Sequence, residues 1–541
     1  MRRRALLAAV AAGLAGCGGR TAPGDLPTTP TDDTQTPTET PATDATPATQ
    51  AATDGGRGDP ETWVGDTRAV AFETGPRTVA LAAPGVRLDS LRLRAGFART
   101  ATAEGPAVLR ATLGNPNDWT ETLRLTEIPL FEPVQSVRRS AEAGGPATLY
   151  LAPTAAHDLA DAATPAERDP RGYWRATETP DPLPETTELG PGETLYGEYH
   201  LLGHADRTGF ATGAYQFDHD SGLTLHVWNT ETPGPTAESR FAGISPPPLP
   251  GSDGSGGSDG TTWYHNADGD TSTFLRPSAE QVATPGAVSF EVVNHTTERL
   301  PGNYHDWSVH KLVDGRWHLL DPWVIPMPLT PLGPGETHRY DLRVFHGAYD
   351  DATADGRHGS DELVVPYLGG GRYAFDATFG DGVAALFDVD APPLSVSPPS
   401  EAVSSTDGDR VEIRDGDWRD ADGTVPASNY RVTVRAERLT GATETGGDGT
   451  PTGDGTPDGD DADDTGVGVA GNGRLVVIAE QLYRERYRAL RGVLSGFGDG
   501  VSTVLFRTAD GGLGDAVPAF DESPRRVVFD GDAYAVSTSR E

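Results

Sequence analysis

The chain is 541 residues long and carries 80 acidic against 43 basic side chains, a formal net charge of −37. Such a field repels polyanions and no basic stripe offsets it, so nucleic acid is not an expected partner. A single cysteine, Cys17, excludes any internal disulfide framework.

Met1 to Cys17 reads as a targeting segment. Arg2-Arg3-Arg4 gives it a basic start, and Ala5 to Ala15 is apolar but too short to cross a hydrocarbon layer of about 30 Å as a helix. Leu14-Ala-Gly-Cys17 resembles the lipobox of secreted lipoproteins, and the adjacent arginines resemble a twin-arginine (Tat) export signal. The resemblance implies that the leader is removed, that Cys17 becomes a lipidated first residue, and that the chain is anchored by lipid on the extracellular face of the cell membrane. Residues 18–60 are Thr, Pro, Asp and Ala with few large apolar side chains. They cannot bury enough surface to offset their chain entropy, and a disordered stalk is expected. Lys311 is the only lysine, and with the acid excess the composition resembles that of an extreme halophile. Near molar salt the screening length falls to about 3 Å, and self-repulsion of such a surface fades.

Residues 61–242 form the first expected folded unit, a series of short strand-like runs divided by Gly, Pro, Asn and Asp. Within it, residues 131–170 are an excursion whose Ala-rich part, Thr154 to Ala163, suggests a short surface helix. Residues 243–262 read as a linker, Pro-rich and then Gly-Ser-Asp-rich. Residues 263–393 form a second, shorter unit related to the first. Leu189-Gly-Pro-Gly-Glu-Thr194 returns as Leu332 to Thr337, and Trp174 and Trp317 each stand 15 residues ahead of a copy. Pro106 to Asn115 answers Pro285 to Asn294, and Gly213 to Phe217 answers Gly371 to Phe375.

Each Pro-Gly pair suits the centre of a type II turn, and the alternation that follows predicts a strand with one buried face. The Gly-x-Tyr-x-Phe segments resemble the tyrosine corner of immunoglobulin-type sandwiches, with Phe217 and Phe375 where antibody domains place their second cysteine. With Val288-x-Phe-x-Val-x-Asn294, Val309-x-Lys-Leu-x-Asp-Gly-x-Trp317, Leu332-x-Pro-Gly-x-Thr337 and Gly371-x-Tyr373, the second unit resembles the bacterial immunoglobulin-like domains of surface lipoproteins. The resemblance implies a mainly β chain with two β-sandwich modules in tandem, Trp174 and Trp317 as core tryptophans, and no catalytic role.

Residues 394–541 leave the repeat. Tyr430 to Leu439 is a strand pattern, residues 441–473 a Gly, Asp, Thr and Pro insertion expected to be disordered, and Val501 to Arg507 and Ala533 to Thr538 are further strands. Tyr483, Tyr487, Leu490 and Leu494 fall on one face of a helix, with Arg484, Arg486, Arg488 and Arg491 mostly elsewhere. A small α+β domain is expected, its arginines forming a solvated face.

Few residues carry chemistry. Ser308-Val-His-Lys311 matches a Ser-x-x-Lys nucleophile motif, but residues three apart on a strand point to opposite faces. Asn266-x-Asp268-x-Asp270 begins like a calcium loop, yet Thr271 replaces its glycine and Pro277 its bidentate glutamate. His200, His204, His219 and His226 are the only metal candidates, and they lack a third ligand at diagnostic spacing. A blue-copper centre needs a cysteine that this chain has only in the lipobox. Asn294-His-Thr296 is the one sequon, a candidate N-glycosylation site. The expected function is therefore non-enzymatic and without cofactor: a structural or interaction role at the cell surface, facing an unidentified protein or glycan. The alternatives are a metal-binding or metal-dependent module in the His200–His226 region, and a solute-binding lipoprotein. The latter lacks the alternating strand and helix pattern of lobed binding proteins.

Overall fold

The computed structural model describes residues 59–540 except 83–86, 89, 133–135, 140–146, 205–209, 218–222, 251–259, 323–325, 327, 350–361, 417–430, 440–468, 471–473, 510–516 and 518–522. The leader, Cys17, the stalk up to residue 58, His219 and nearly all of the 441–473 insertion lie outside the described residues; the last two stalk residues, Asp59 and Pro60, instead cap and begin the helix Pro60–Val64. From Arg57 onward the chain is one compact unit, mainly β.

The second repeat is the simpler. Two sheets face each other, one made of Thr273–Pro277, Gly286–Asn294, Thr337–Val344 and Glu362–Val365, the other centred on Val383–Asp390, Gly371–Phe379, Gly302–Val313 and Arg316–Asp321. Alternate residues of each strand enter the gap: Val288, Phe290 and Val292 from one side, Tyr373, Phe375 and Ala377 from the other. Phe375, the position a disulfide would occupy, stacks on Phe290 with centroids 4.3 Å apart and planes at 6°. Such a pair contributes about 1 kcal/mol beyond its buried area.

The expected core tryptophan is a different one. Trp307, not Trp317, lies against Phe375, at 5.8 Å. Trp317 pairs in register with Leu312, and both belong to the opposite, outer face of that sheet. There Phe241, Ile244 and Leu249 cross the sheet and cover Trp317, Ala374 and Leu386, and the Trp317 indole N–H donates to the Pro247 carbonyl at 2.8 Å. The front of the expected linker is thus a packed strap. Trp174 is half-buried and donates to the Thr102 carbonyl at 2.9 Å.

In the first repeat most strands join into one long sheet, with Glu121–Arg124 and Thr186–Leu189 paired apart from it. Its path runs Ala69–Ala71, Arg77–Ala82, Thr224–Asn229, Gly213–Gln216, Ser136–Arg139, Thr148–Pro153, Thr194–Gly203, Val108–Gly114, Leu91–Arg99 and Arg87–Leu88. The excursion supplies the join, because Ser136–Arg139 and Thr148–Pro153 pair with each other and bridge Gly213–Gln216 to Thr194–Gly203. No helix forms at Thr154 to Ala163. That stretch turns instead, with His157 buried and its Nε2 at 2.8 Å from the Tyr199 hydroxyl.

The C-terminal domain is an α+β layer. Its sheet runs Val403–Asp407, Arg410–Arg414, Thr503–Ala509, Arg431–Arg438, Asp532–Arg540, Arg525–Phe529, Arg474–Val476, Val469–Ala470. The expected continuous helix is broken into Ala479–Leu482, a 3₁₀ turn at Glu485–Tyr487, and Arg488–Leu494. Tyr487, Leu490 and Leu494 are in the core as the periodicity requires. The break falls at Arg484, whose backbone is extended at φ −82°, ψ 144°. Its guanidinium reaches the second repeat, donating to the Pro366 carbonyl at 2.9 Å and pairing with Asp321 at 3.2 Å, so tertiary bonds override helix propensity.

Candidate functional site

The repeated hexapeptide closes the same clamp twice. Gly192 and Gly335 have φ of +69° and +71°, which only glycine adopts without strain at that place in a type II turn. Glu193 and Glu336 reach back so that the N–H of Gly190 and of Gly333 donates to the carboxylate, each at 2.7 Å. Asn115 Nδ2 donates to the carbonyls of Trp119, Leu189 and Gly190 at 2.8–3.1 Å. Asn294 Nδ2 does the same to Glu298, Leu332 and Gly333 at 2.9–3.1 Å. Tyr215 and Tyr373 each donate their hydroxyl to the carbonyl four residues earlier, Ala211 at 2.8 Å and Gly369 at 2.6 Å. The sequon asparagine is therefore fully buried and its amide spent on three carbonyls; a glycan on Nδ2 would break that set.

The histidine candidates are dispersed. His200 is on Thr194–Gly203 and His226 on Thr224–Asn229, with three strands between them in the hydrogen-bonding order. His204 stacks on Tyr150 at 5.5 Å. Burial, then the Arg99 charge, lowers the His200 pKa. No group of three or more His, Cys, Asp or Glu positioned for a metal occurs among the described residues. His226 lies at the junction of the two repeats. A Cβ on Gly335 would come within 2.7 Å of His226 Cβ and 2.9 Å of Trp228 Cζ3, and His295 stacks on Trp228 at 5.2 Å and 6°. Burial, then the neighbouring His295, brings the His226 pKa down to about 4. Burial also lowers that of His295, against the pull of its bond to the Pro233 carbonyl.

The densest reactive group was not singled out in the sequence as a set. Ser308 Oγ lies 2.7 Å from His310 Nε2 and 2.5 Å from Asp376 Oδ1, and that carboxylate oxygen is 3.2 Å from the same His310 nitrogen. These are the residue types of a hydrolase triad in a different arrangement. A triad needs the carboxylate on Nδ1, so that Nε2 can accept the serine proton. Here Nδ1 is buried without a partner and both the serine hydroxyl and the carboxylate meet Nε2, a closed ring that does not orient a base. Asp306 is hydrogen-bonded to Thr378 nearby, and burial raises its pKa.

Lys311 points elsewhere. Its ammonium is buried against Glu480 of the C-terminal domain, and Glu480 Oε1 also accepts the Gly369 N–H at 3.1 Å. Around this pair Gln481 Nε2 donates to the Leu319 carbonyl at 3.1 Å, and Tyr483 stacks on Tyr367 at 4.1 Å and 11°. Burial pushes the Asp321 carboxyl up and the Arg484 guanidinium down, each partly offset by the other. The arginines expected on a solvated face thus serve packing: Arg488 forms a forked pair with Asp415 at 2.9–3.3 Å, and Arg491 lies over the Tyr483 ring.

No protein-family model matches the chain, and no curated protein matches it. Among solved structures, an alkylpurine DNA glycosylase of Pseudomonas fluorescens bound to DNA with an abasic-site analogue aligns at 12% identity over 22% of this chain and 31% of that one, with a TM-score of 0.14. A polysaccharide lyase aligns at 10% identity over 58% of this chain and 35% of its own, TM-score 0.12. A red sea bream transglutaminase aligns at 10% over 56% and 31%, TM-score 0.11. The chain thus spans about a third of the length of each, and likenesses of this size carry no argument about fold or chemistry.

Proposed function

We propose that the chain is a lipid-anchored surface protein of a halophilic archaeon, exported through a Tat signal. Its two immunoglobulin-like modules and its α+β domain form a head with a structural or interaction role and no reaction of its own. The observation that carries this reading is the duplicated clamp, in which Asn115 and Asn294 make the same three bonds and Tyr215 and Tyr373 the same corner. Duplicated, fully satisfied frameworks of this kind are packing devices, and their glycines, asparagines and tyrosines are consumed by the fold. The lipobox ending at Cys17 supports anchoring, and a chain whose single lysine is buried, leaving its surface to carboxylates and arginines, supports a high-salt setting.

The test is photo-cross-linking on intact cells of a halophilic archaeon expressing the full chain or Cys17→Ser. The reading predicts surface-exposed chain that fractionates with membranes and captures an envelope component, and loss of membrane fractionation in Cys17→Ser. A chain found in the cytoplasm, or one that turns over a substrate in purified form, contradicts it.

A further inference from the structure

The C-terminal sheet has two faces of opposite character. Val411, Ile413, Val432, Val434, Val504 and Phe506 turn toward the helix and form the core. The alternate positions turn the other way, and there Arg410, Arg414, Arg507, Arg435 and Arg526 outnumber Asp407, Glu412 and Glu437. In a chain of net charge −37 this is a reversal of sign. It is assembled from strands far apart in sequence, which is why no basic run is visible there. The register places Arg414 beside Arg507, and Arg507 beside Thr433 on the next strand. Neighbouring strands are about 4.8 Å apart, so Arg414 and Arg507 stand side by side, while Arg410 is next to Thr503 and Arg435 next to Leu505. One carboxylate oxygen, Glu412 Oε1, holds Arg414 by Nε at 2.7 Å and Arg507 by Nε at 3.2 Å, which fixes both planes. Glu437 fixes Arg435 in the same way. The Arg414 and Arg435 side chains remain 52% and 53% exposed.

We propose that this face binds an extended anionic polysaccharide through its carboxylate or sulfate groups. Charge complementarity selects an anion, and fixed guanidinium planes suit oxyanions with paired oxygens. The exposed large apolar residues on this face lie at its margins, Val403 opposite Arg414 on the edge strand and Leu439 just past Arg431–Arg438, and no exposed aromatic stands on it among the described residues. A protein partner would call for an apolar anchor at the centre, and single-stranded nucleic acid for rings to stack on. A narrow, repeating polyanion needs neither, and it can follow one face without facing the acidic remainder of the molecule. This deepens the interaction role proposed above, and purified chain tests it independently of the anchor.

The experiment is binding of detergent-solubilised full-length chain to fluorescent dextran sulfate, alginate and neutral dextran across a KCl titration. The comparison is Arg410→Gln/Arg414→Gln/Arg526→Gln, with unchanged circular dichroism as the fold control. Glu412→Gln is the opposite variant, removing the negative charge between two arginines. The expected result is binding of at least one charged polymer and not of neutral dextran, weakened at least about tenfold in the triple variant and not weakened in Glu412→Gln. Equal behaviour of charged and neutral polymers, or a folded triple variant that binds like the parent, overturns the proposal. Binding of poly-glutamate with neither charged polysaccharide bound assigns the face to acidic protein and overturns it as well. A chain that binds the polymer yet carries no lipid leaves this inference standing and contradicts only the anchoring.

Discussion

Lys311 on strand Gly302–Val313 is buried against Glu480, which lies 169 residues later on the short helix Ala479–Leu482. The same carboxylate accepts the Gly369 N–H, and the Gly369 carbonyl accepts the Tyr373 hydroxyl, so the C-terminal domain is bonded into the tyrosine corner of the second repeat. Ile478 completes the connection by joining the second repeat's apolar core. The two domains are expected to unfold as one.

Removing one member of a buried pair strands the other. Glu480→Ala should cost about 3–5 kcal/mol and Lys311→Met/Glu480→Leu much less, because the desolvated charge is then absent from both sides. Scanning calorimetry in molar KCl checks this. Separate transitions for the two domains in the parent, or a single-variant loss below about 1 kcal/mol, would count against the coupling.

The clamp gives a second test that separates packing from glycosylation. Asn294→Ala removes three buried or half-buried amide bonds that tie the turn to the strand and should destabilise by about 2–3 kcal/mol, and Asn115→Ala, which touches no sequon, by a similar amount. Thr296→Ala removes the sequon and the hydroxyl's bond to Asn294 at 2.7 Å, with two exposed bonds to the Glu298 backbone, leaves the Asn294 amide bonds in place, and should cost about 1 kcal/mol. If urea melts instead rank Thr296→Ala with Asn294→Ala, the amide is not the element that matters.

Acid should loosen the junction between the repeats. With its folded pKa near 4 and an unfolded value of 6.5, His226 is neutral in the fold, while the unfolded chain takes up the proton as pH drops below 6.5. Stability therefore falls through the window from about 6.5 to about 4 and levels off below it, by on the order of 3 kcal/mol for this residue. His295 changes in the same direction. Melting temperature against pH for the parent and His226→Gln checks the sign; an unaltered slope in the variant would assign the acid sensitivity to other groups.

What could be read from the sequence was local. Pro191-Gly192 and Pro334-Gly335 specify their turns through φ alone, and the bonds of Tyr215 and Tyr373 reach only four residues back, so turn, strand and corner were legible. The place of Trp317 was not, since alternation tells which residues share a face but not that residues 241–249 cover the outer one. Nor was the union of most first-repeat strands into one sheet, which depends on strands of the excursion finding partners far along the chain. Ser308 and Asp376 are 68 residues apart and meet only through strand register, as do the arginines of the C-terminal face. The helix broke at Arg484 because one side chain gained more from Asp321 and Pro366 than the backbone lost.

The central claim is attachment to the outside of the membrane through residue 17, and intact mass spectrometry of the chain purified from the membranes of a halophilic archaeal host tests it most directly. The account predicts a mature chain that begins at Cys17, heavier than its sequence by a lipid, and absent from membranes in Cys17→Ser. A chain recovered with Met1 to Gly16 still in place and no added mass would contradict it.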